Sequence, residues 1–178
     1  MIDCYVMPVK SGKTRTLVER AVREIVDNES CVVYINLDDT REYVHQLACE
    51  LLQPNDESDA VKNRFKYLDV RRGSFNINTL AEICKMFKYE VDIVIVDGAD
   101  AMFKNSEKPY ARSIDSFADS YHTISLLGKK YGKDFIFEFQ DSANNSVYDE
   151  FVKLQNDIGY NCVIRKLTFP RQDKYYSD

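Results

Sequence analysis

"VMPVKSGKTRTLVERA", residues 6–21, changes character at its middle. The run that leads into it, IDCYVM (2–7), reads as a short strand. Beyond it, Leu17, Val18, Ala21, Val22, Ile25 and Val26 recur at helical spacing, so residues 13–27 read as a helix with one apolar face. Residues 8–12 form the loop between. Strand, loop and helix in this order aim successive backbone N–H groups and a helix N-terminus at one point, a concave site for an anion.

The loop closes on Gly12-Lys13-Thr14, the ending of the pattern G-x-x-x-x-G-K-[ST]. In that pattern the lysine reaches the β- and γ-phosphates and the hydroxyl takes a place on Mg²⁺. Met7 stands where the first glycine belongs. That glycine helps the chain turn out of the strand, whereas phosphate contact comes chiefly from the later amides and the lysine. Met7 therefore alters the entry of the loop and need not abolish binding. Pro8, Val9, Lys10, Ser11, Gly12, Lys13 and Thr14 are the candidate nucleotide-binding residues, Lys10 standing on phosphate, on a neighbouring subunit or in solvent.

Working outward, CVVYINL (31–37) is a nearly continuous apolar run, as a strand covered on both faces would be. TREYVHQLACELL (40–52) returns to helical spacing, and residues 54–59 form a polar, acidic loop. A strand at 65–70, a helix at 76–88 and the buried strand VDIVIVD (91–97) follow. A long loop (98–109) leads to a helix at 112–131, the buried strand DFIFEFQ (134–140), a helix at 147–157 and a last strand at 161–169. Strands alternating with helices predict one α/β domain over residues 1–178, three layers deep, with a mostly parallel sheet and helices on both faces.

The 178 residues are 44% hydrophobic, enough for one sizeable core. A formal charge of −5 supplies no general attraction to nucleic acid or an anionic membrane. Local patches are the alternative. Lys62, Arg64, Lys66, Arg71 and Arg72 interleave with Phe65 and Tyr67, so cations could track phosphates while the rings stack on bases of single-stranded DNA or RNA. Lys129, Lys130 and Lys133 form a second basic stretch, and both stretches read equally as solvated faces.

The five cysteines are scattered without a C-x-x-C pair, which fits reduced thiols and a cytoplasmic, soluble protein rather than a zinc ribbon. No segment reaches the ~20 apolar residues of a membrane span. With His45 and His122 the only histidines, a Ser-His or Cys-His nucleophile has little support.

A phosphate loop needs an acid at the end of a buried strand to hold the metal through its water shell. Asp97, after VDIVIV, stands there. Gly98 follows it at the position where many such enzymes carry the water-activating glutamate. Asp100 is nearby but could equally start a turn.

Together these segments resemble the RecA-type ATPases, especially the DnaB-helicase and KaiC-like branch of that P-loop superfamily. VVYINLDDTREYVHQLA (32–48) is similar to the family's segment with the catalytic acid, which places Asp38 or Asp39 where a glutamate is usual. The stretch 66–102 resembles the strand, helix and metal-binding strand, with Asp97 on the family's aspartate. In 123–145 the likeness puts Gln140 on the residue that reads the γ-phosphate. The tail 163–176 resembles a closing strand whose basic residues reach a neighbouring subunit's nucleotide; Arg165, Lys166 and Arg171 are the candidates.

The resemblance implies ATP and Mg²⁺ as cofactors, Thr14 and Asp97 on the metal, and a homo-oligomer or partner protein. Aspartate is one methylene shorter than glutamate, so the expectation is weak or partner-stimulated hydrolysis in DNA or RNA transactions. The chain starts a few residues before the loop, so a full replicative helicase is not expected. Two alternatives stand beside this. One is a non-catalytic nucleotide-binding partner of a larger machine, which Met7, Gly98 and the short acid all fit. The other is a thymidine-kinase-like deoxynucleoside kinase, whose loop and following helix MPVKSGKTRTLVER also resembles, though Gly98 replaces its base and its four-cysteine zinc lasso is absent.

Overall fold

The computed structural model describes residues 1–8, 10–37, 41–52, 62–70, 74–103, 113–141, 147–158 and 162–166. Of the candidate site residues, Val9, Asp38, Asp39, Arg71, Arg72 and Arg171 lie outside them.

The elements run β1 (Ile2–Pro8), α1 (Lys13–Asn28), β2 (Val32–Asn36), α2 (Arg41–Leu52), β3 (Phe65–Asp69), α3 (Ile77–Met86), β4 (Ile93–Asp97), a 3₁₀ turn (Ala99–Ala101), α4 (Ser113–Tyr131), β5 (Asp134–Asp141), α5 (Val147–Ile158) and β6 (Val163–Lys166). The six strands form one sheet in the order β3-β2-β4-β5-β1-β6. Every pairing is parallel. The fold is thus α/β, with the parallel sheet expected from the alternation of elements.

Period-two alternation divides each strand between two cores. On one face, Val33, Ile35, Val94, Val96, Phe135, Phe137 and Phe139 pack with Leu80 and Ile83 of α3, Phe117 and Ile124 of α4 and Phe151 of α5. On the other, Tyr5, Met7, Tyr34, Ile93, Ile95 and Ile136 pack with Leu17, Val18, Ala21 and Ile25 of α1 and with Val44, Leu47 and Leu52 of α2. Helices cover both faces, which makes three layers.

The first core is strongly aromatic: Phe117 meets Phe137, Phe139 and Phe151 edge-on, at centroid separations of 5.9, 5.5 and 5.3 Å. Edge-to-face contacts of this kind add about 0.5–1.5 kcal/mol each beyond buried area.

The segment after β4 departs from the expected long loop. Residues 98–103 fold back onto the sheet, and Ala99, Met102 and Phe103 are buried in the aromatic core. Lys133 departs too. It is buried instead of joining a solvated basic face, and its Nζ donates to the carbonyl oxygens of Lys88, at 3.0 Å, and of Val91.

Candidate functional site

β1 ends in the loop, and α1 begins on Gly12, whose φ of +78° is left-handed. Lys10 is left-handed as well, at φ +58°. Space does not require a glycine at position 12, because an added Cβ would meet nothing within 4 Å. Backbone conformation does. The N-terminus of α1 has no side-chain cap and no acidic residue in its first turn. At α3, by contrast, the side chain of Asn76 accepts from the N–H groups of Asn78 and Thr79. Ser11 Oγ is buried with no hydrogen-bond partner among the described residues. Thr14 is buried, and Lys10 is exposed.

Met7, the residue in place of the first glycine, is fully buried in the α1–α2 core. It extends β1 and pairs in register with Gln140 of β5. The departure from the motif thus serves packing, and the loop turns after Pro8.

β5 inserts between β1, which leads into the loop, and β4, which ends on Asp97. Its alternation sends the phenylalanines to one layer and leaves Ile136, Glu138 and Gln140 on the face that carries α1. Glu138 is completely buried. Its Oε1 lies 3.1 Å from Lys13 Nζ, and its Oε2 accepts from the N–H of Gly98 at 3.1 Å. Burial pushes the Glu138 carboxyl up to about 8; the Lys13 ammonium opposes this, and the charges of Asp97 and Asp100 add to it.

The β4–β5 ladder runs to Val96↔Phe137. Past that point two carboxylates bridge the strands: Glu138 takes the Gly98 N–H, and Asp100 takes the Gln140 N–H at 2.6 Å. Asp100 therefore secures the end of β5, so its carboxylate is engaged on backbone.

Asp97 is fully buried, and its Oδ2 accepts from the hydroxyl of Tyr34 at 2.7 Å. Tyr34 lies between Phe65 and Tyr67, with ring centroids 5.8 and 6.5 Å away. Asn36 Nδ2 donates to the Tyr67 hydroxyl at 2.9 Å. The Leu37 N–H donates to the Asp97 carbonyl at 3.0 Å, so the end of β2 lies beside the end of β4.

Arg64, Lys66, Arg165 and Lys166 have partners inside the chain. Arg64 pairs with Glu29 at 3.7 Å and Lys66 with Glu90 at 2.8 Å, while Phe65 and Tyr67 spend their rings on Tyr34. Arg165 Nε lies 2.9 Å from both oxygens of the buried Asp3. Lys166 Nζ sits 5.1 Å from the centre of the Tyr148 ring.

The structure thus gathers Lys13, Gly12, Asp97, Asp100 and Gln140 around Glu138, and it keeps Arg165 on β1. Glu138 and Tyr34 are the site residues that motif reading passes over. Their signal is polarity inside buried strands: a glutamate is almost never fully buried unless it is paired.

Among the described residues no group of three or more His, Cys, Asp or Glu could hold a metal by itself, and no helix is long and apolar enough to cross a membrane. No protein-family model matches the chain, and no curated protein matches it.

Proposed function

We propose that the chain is a compact RecA-like ATP-binding protein with weak or partner-stimulated Mg²⁺-dependent hydrolysis, working with single-stranded DNA or RNA. The observation that carries this reading is the convergence at the carboxyl ends of parallel strands. Gly12-Lys13-Thr14 after β1, Asp97 ending β4 and Gln140 near the end of β5 meet where ligands of open α/β sheets bind.

The local chemistry fits a nucleoside triphosphate. The first turn of α1 carries no acidic residue and no side-chain cap, and the buried Ser11 hydroxyl has a hydrogen bond to give. Mg²⁺ keeps several waters and takes one or two protein oxygens besides phosphate. The Thr14 hydroxyl and the Asp97 carboxylate are such a pair, and the metal would neutralise charge on the transferred phosphoryl group. Gln140 offers an amide to the γ-phosphate, and Asp38 or Asp39 would orient water.

A second reading, nucleotide binding without turnover, draws support from two features. Met7 is given over to packing, and Asp100, the acid nearest the usual base position, is given over to β5.

The test is MgATP binding and hydrolysis by the wild type and Lys13→Ala, each with and without single-stranded DNA. Lys13-dependent turnover that DNA stimulates supports a nucleic-acid ATPase. Binding without turnover selects the second reading. Neither binding nor turnover in the wild type would overturn both.

A further inference from the structure

Lys13, which the proposed phosphate loop would offer to a nucleotide, lies at ion-pair distance from a carboxyl group of the chain itself. Its Nζ lies 3.1 Å from Glu138 Oε1, and the second oxygen of that carboxyl is held by the Gly98 N–H. Glu138 has no exposure to solvent, so water cannot replace a partner that leaves. The other groups acting on it are of like sign, Asp97 and Asp100. From β1 its register partner is Tyr5, whose hydroxyl accepts from Arg20 at 3.3 Å.

Among the described residues these neighbours leave Lys13 as the cation that acts on Glu138. A phosphate that draws Lys13 into its own coordination leaves the carboxyl with the Gly98 N–H alone and adds negative charge nearby. Breaking a buried pair by removing one partner is strongly unfavourable, and that cost is set against binding. The contact stands at ion-pair distance, so the attraction that a phosphate must overcome is greatest when the carboxyl is ionised.

We propose that Glu138 is an intramolecular competitor for the phosphate-binding lysine: a nucleotide binds by taking Lys13 from it, and this competition lowers the affinity of the site. The inference rests on the nucleotide-binding reading above and adds to it a residue that sets the affinity. Glu138 acts through Lys13 and is a positioning residue.

The experiment is calorimetric titration of MgATP into four proteins: wild type, Glu138→Met, Lys13→Ala and the double variant. Methionine fills the volume of glutamate and offers the ammonium no strong acceptor. Glu138→Met should bind about tenfold more tightly than the wild type, as expected when a buried competing charge pair is removed. The gain should vanish on the Lys13→Ala background, where the double variant binds as weakly as Lys13→Ala alone. A cooperative urea transition checks the fold, and Glu138→Leu serves if the methionine variant fails that check.

Equal or weaker binding by a folded variant overturns the inference and leaves the nucleotide reading standing. So does a tenfold gain that persists without Lys13, because general removal of charge would then explain it. Absence of MgATP binding in both the wild type and Glu138→Met overturns the nucleotide reading and this inference with it.

Discussion

The hydroxyl of Tyr34 donates to Asp97 Oδ2 at 2.7 Å across the β2–β4 pairing, with both side chains fully buried. The bond orients the carboxylate that ends β4, and the rings of Phe65 and Tyr67 hold Tyr34 in turn. Tyr34→Phe keeps the stack and deletes the bond. It should cost about 1–2 kcal/mol in urea unfolding, a lost hydrogen bond plus a carboxylate left short of a donor. On the proposed reading it should also raise the Mg²⁺ concentration for half-maximal ATP binding several-fold, which a metal titration at fixed ATP would measure.

The Glu138 carboxyl sets a pH dependence whose sign follows from burial. Its value of about 8 in the folded chain stands above the ordinary 4.5, so between those values the native state holds a proton that the unfolded chain releases. The stability it contributes is fully present below about 4.5 and is lost as pH rises through about 8. Glu138→Gln removes this linkage. The wild type should therefore lose roughly 4 kcal/mol relative to Glu138→Gln between pH 5 and pH 9, as urea midpoints would show.

Two glycines separate conformation from space. Gly12→Ala meets no atom within 4 Å, so its cost, about 1 kcal/mol, is that of a left-handed φ on an L side chain, and Gly12→Asn should cost less. In Gly128→Ala the new Cβ would stand 2.9 Å from the Lys133 carbonyl oxygen and 3.3 Å from the Phe135 ring. Overpacking there should cost about 1–3 kcal/mol. Thermal unfolding ranks the three variants, and MgATP affinity should fall only for the two at position 12.

Arg165 poses a choice between a role within the chain and one across subunits. Its Nε is 2.9 Å from both Asp3 oxygens, and Asp3 is fully buried. Arg165→Ala should destabilise the monomer by about 1–3 kcal/mol because the carboxylate loses a charged donor. Loss of ATP turnover at unchanged stability would instead assign the residue to a neighbouring subunit's site.

Much of the fold was legible because each element carries its own period. VDIVIVD and DFIFEFQ read as buried strands and are β4 and β5. The helices of 13–27 and 147–157 follow their apolar spacing to within a residue. The segment between β1 and α1 was legible as a strand–loop–helix junction, and Asp97 as a strand-ending acid.

What stayed hidden depends on pairing between distant segments. Nothing local in DFIFEFQ says that Glu138 faces Lys13, since that follows from β5 entering the sheet beside β1, with Tyr5 opposite Glu138. Lys133 looked like part of a surface run because its acceptors, the carbonyls of Lys88 and Val91, belong to another stretch of chain. Arg165 looked free for the same reason, its partner lying on the first strand. Segment 98–109 lacked any period, so only the fold reveals that Met102 and Phe103 enter the core.

β5 presents two unlike sides to its neighbours. Its rear is an aromatic slab, Phe135, Phe137 and Phe139, interlocked with Phe103, Phe117 and Phe151. Its front carries Glu138 and Gln140. The two sides of one strand therefore answer to different forces: the rear is held by shape and dispersion, which tolerate no change of volume, and the front by buried polar contacts, which tolerate no change of charge.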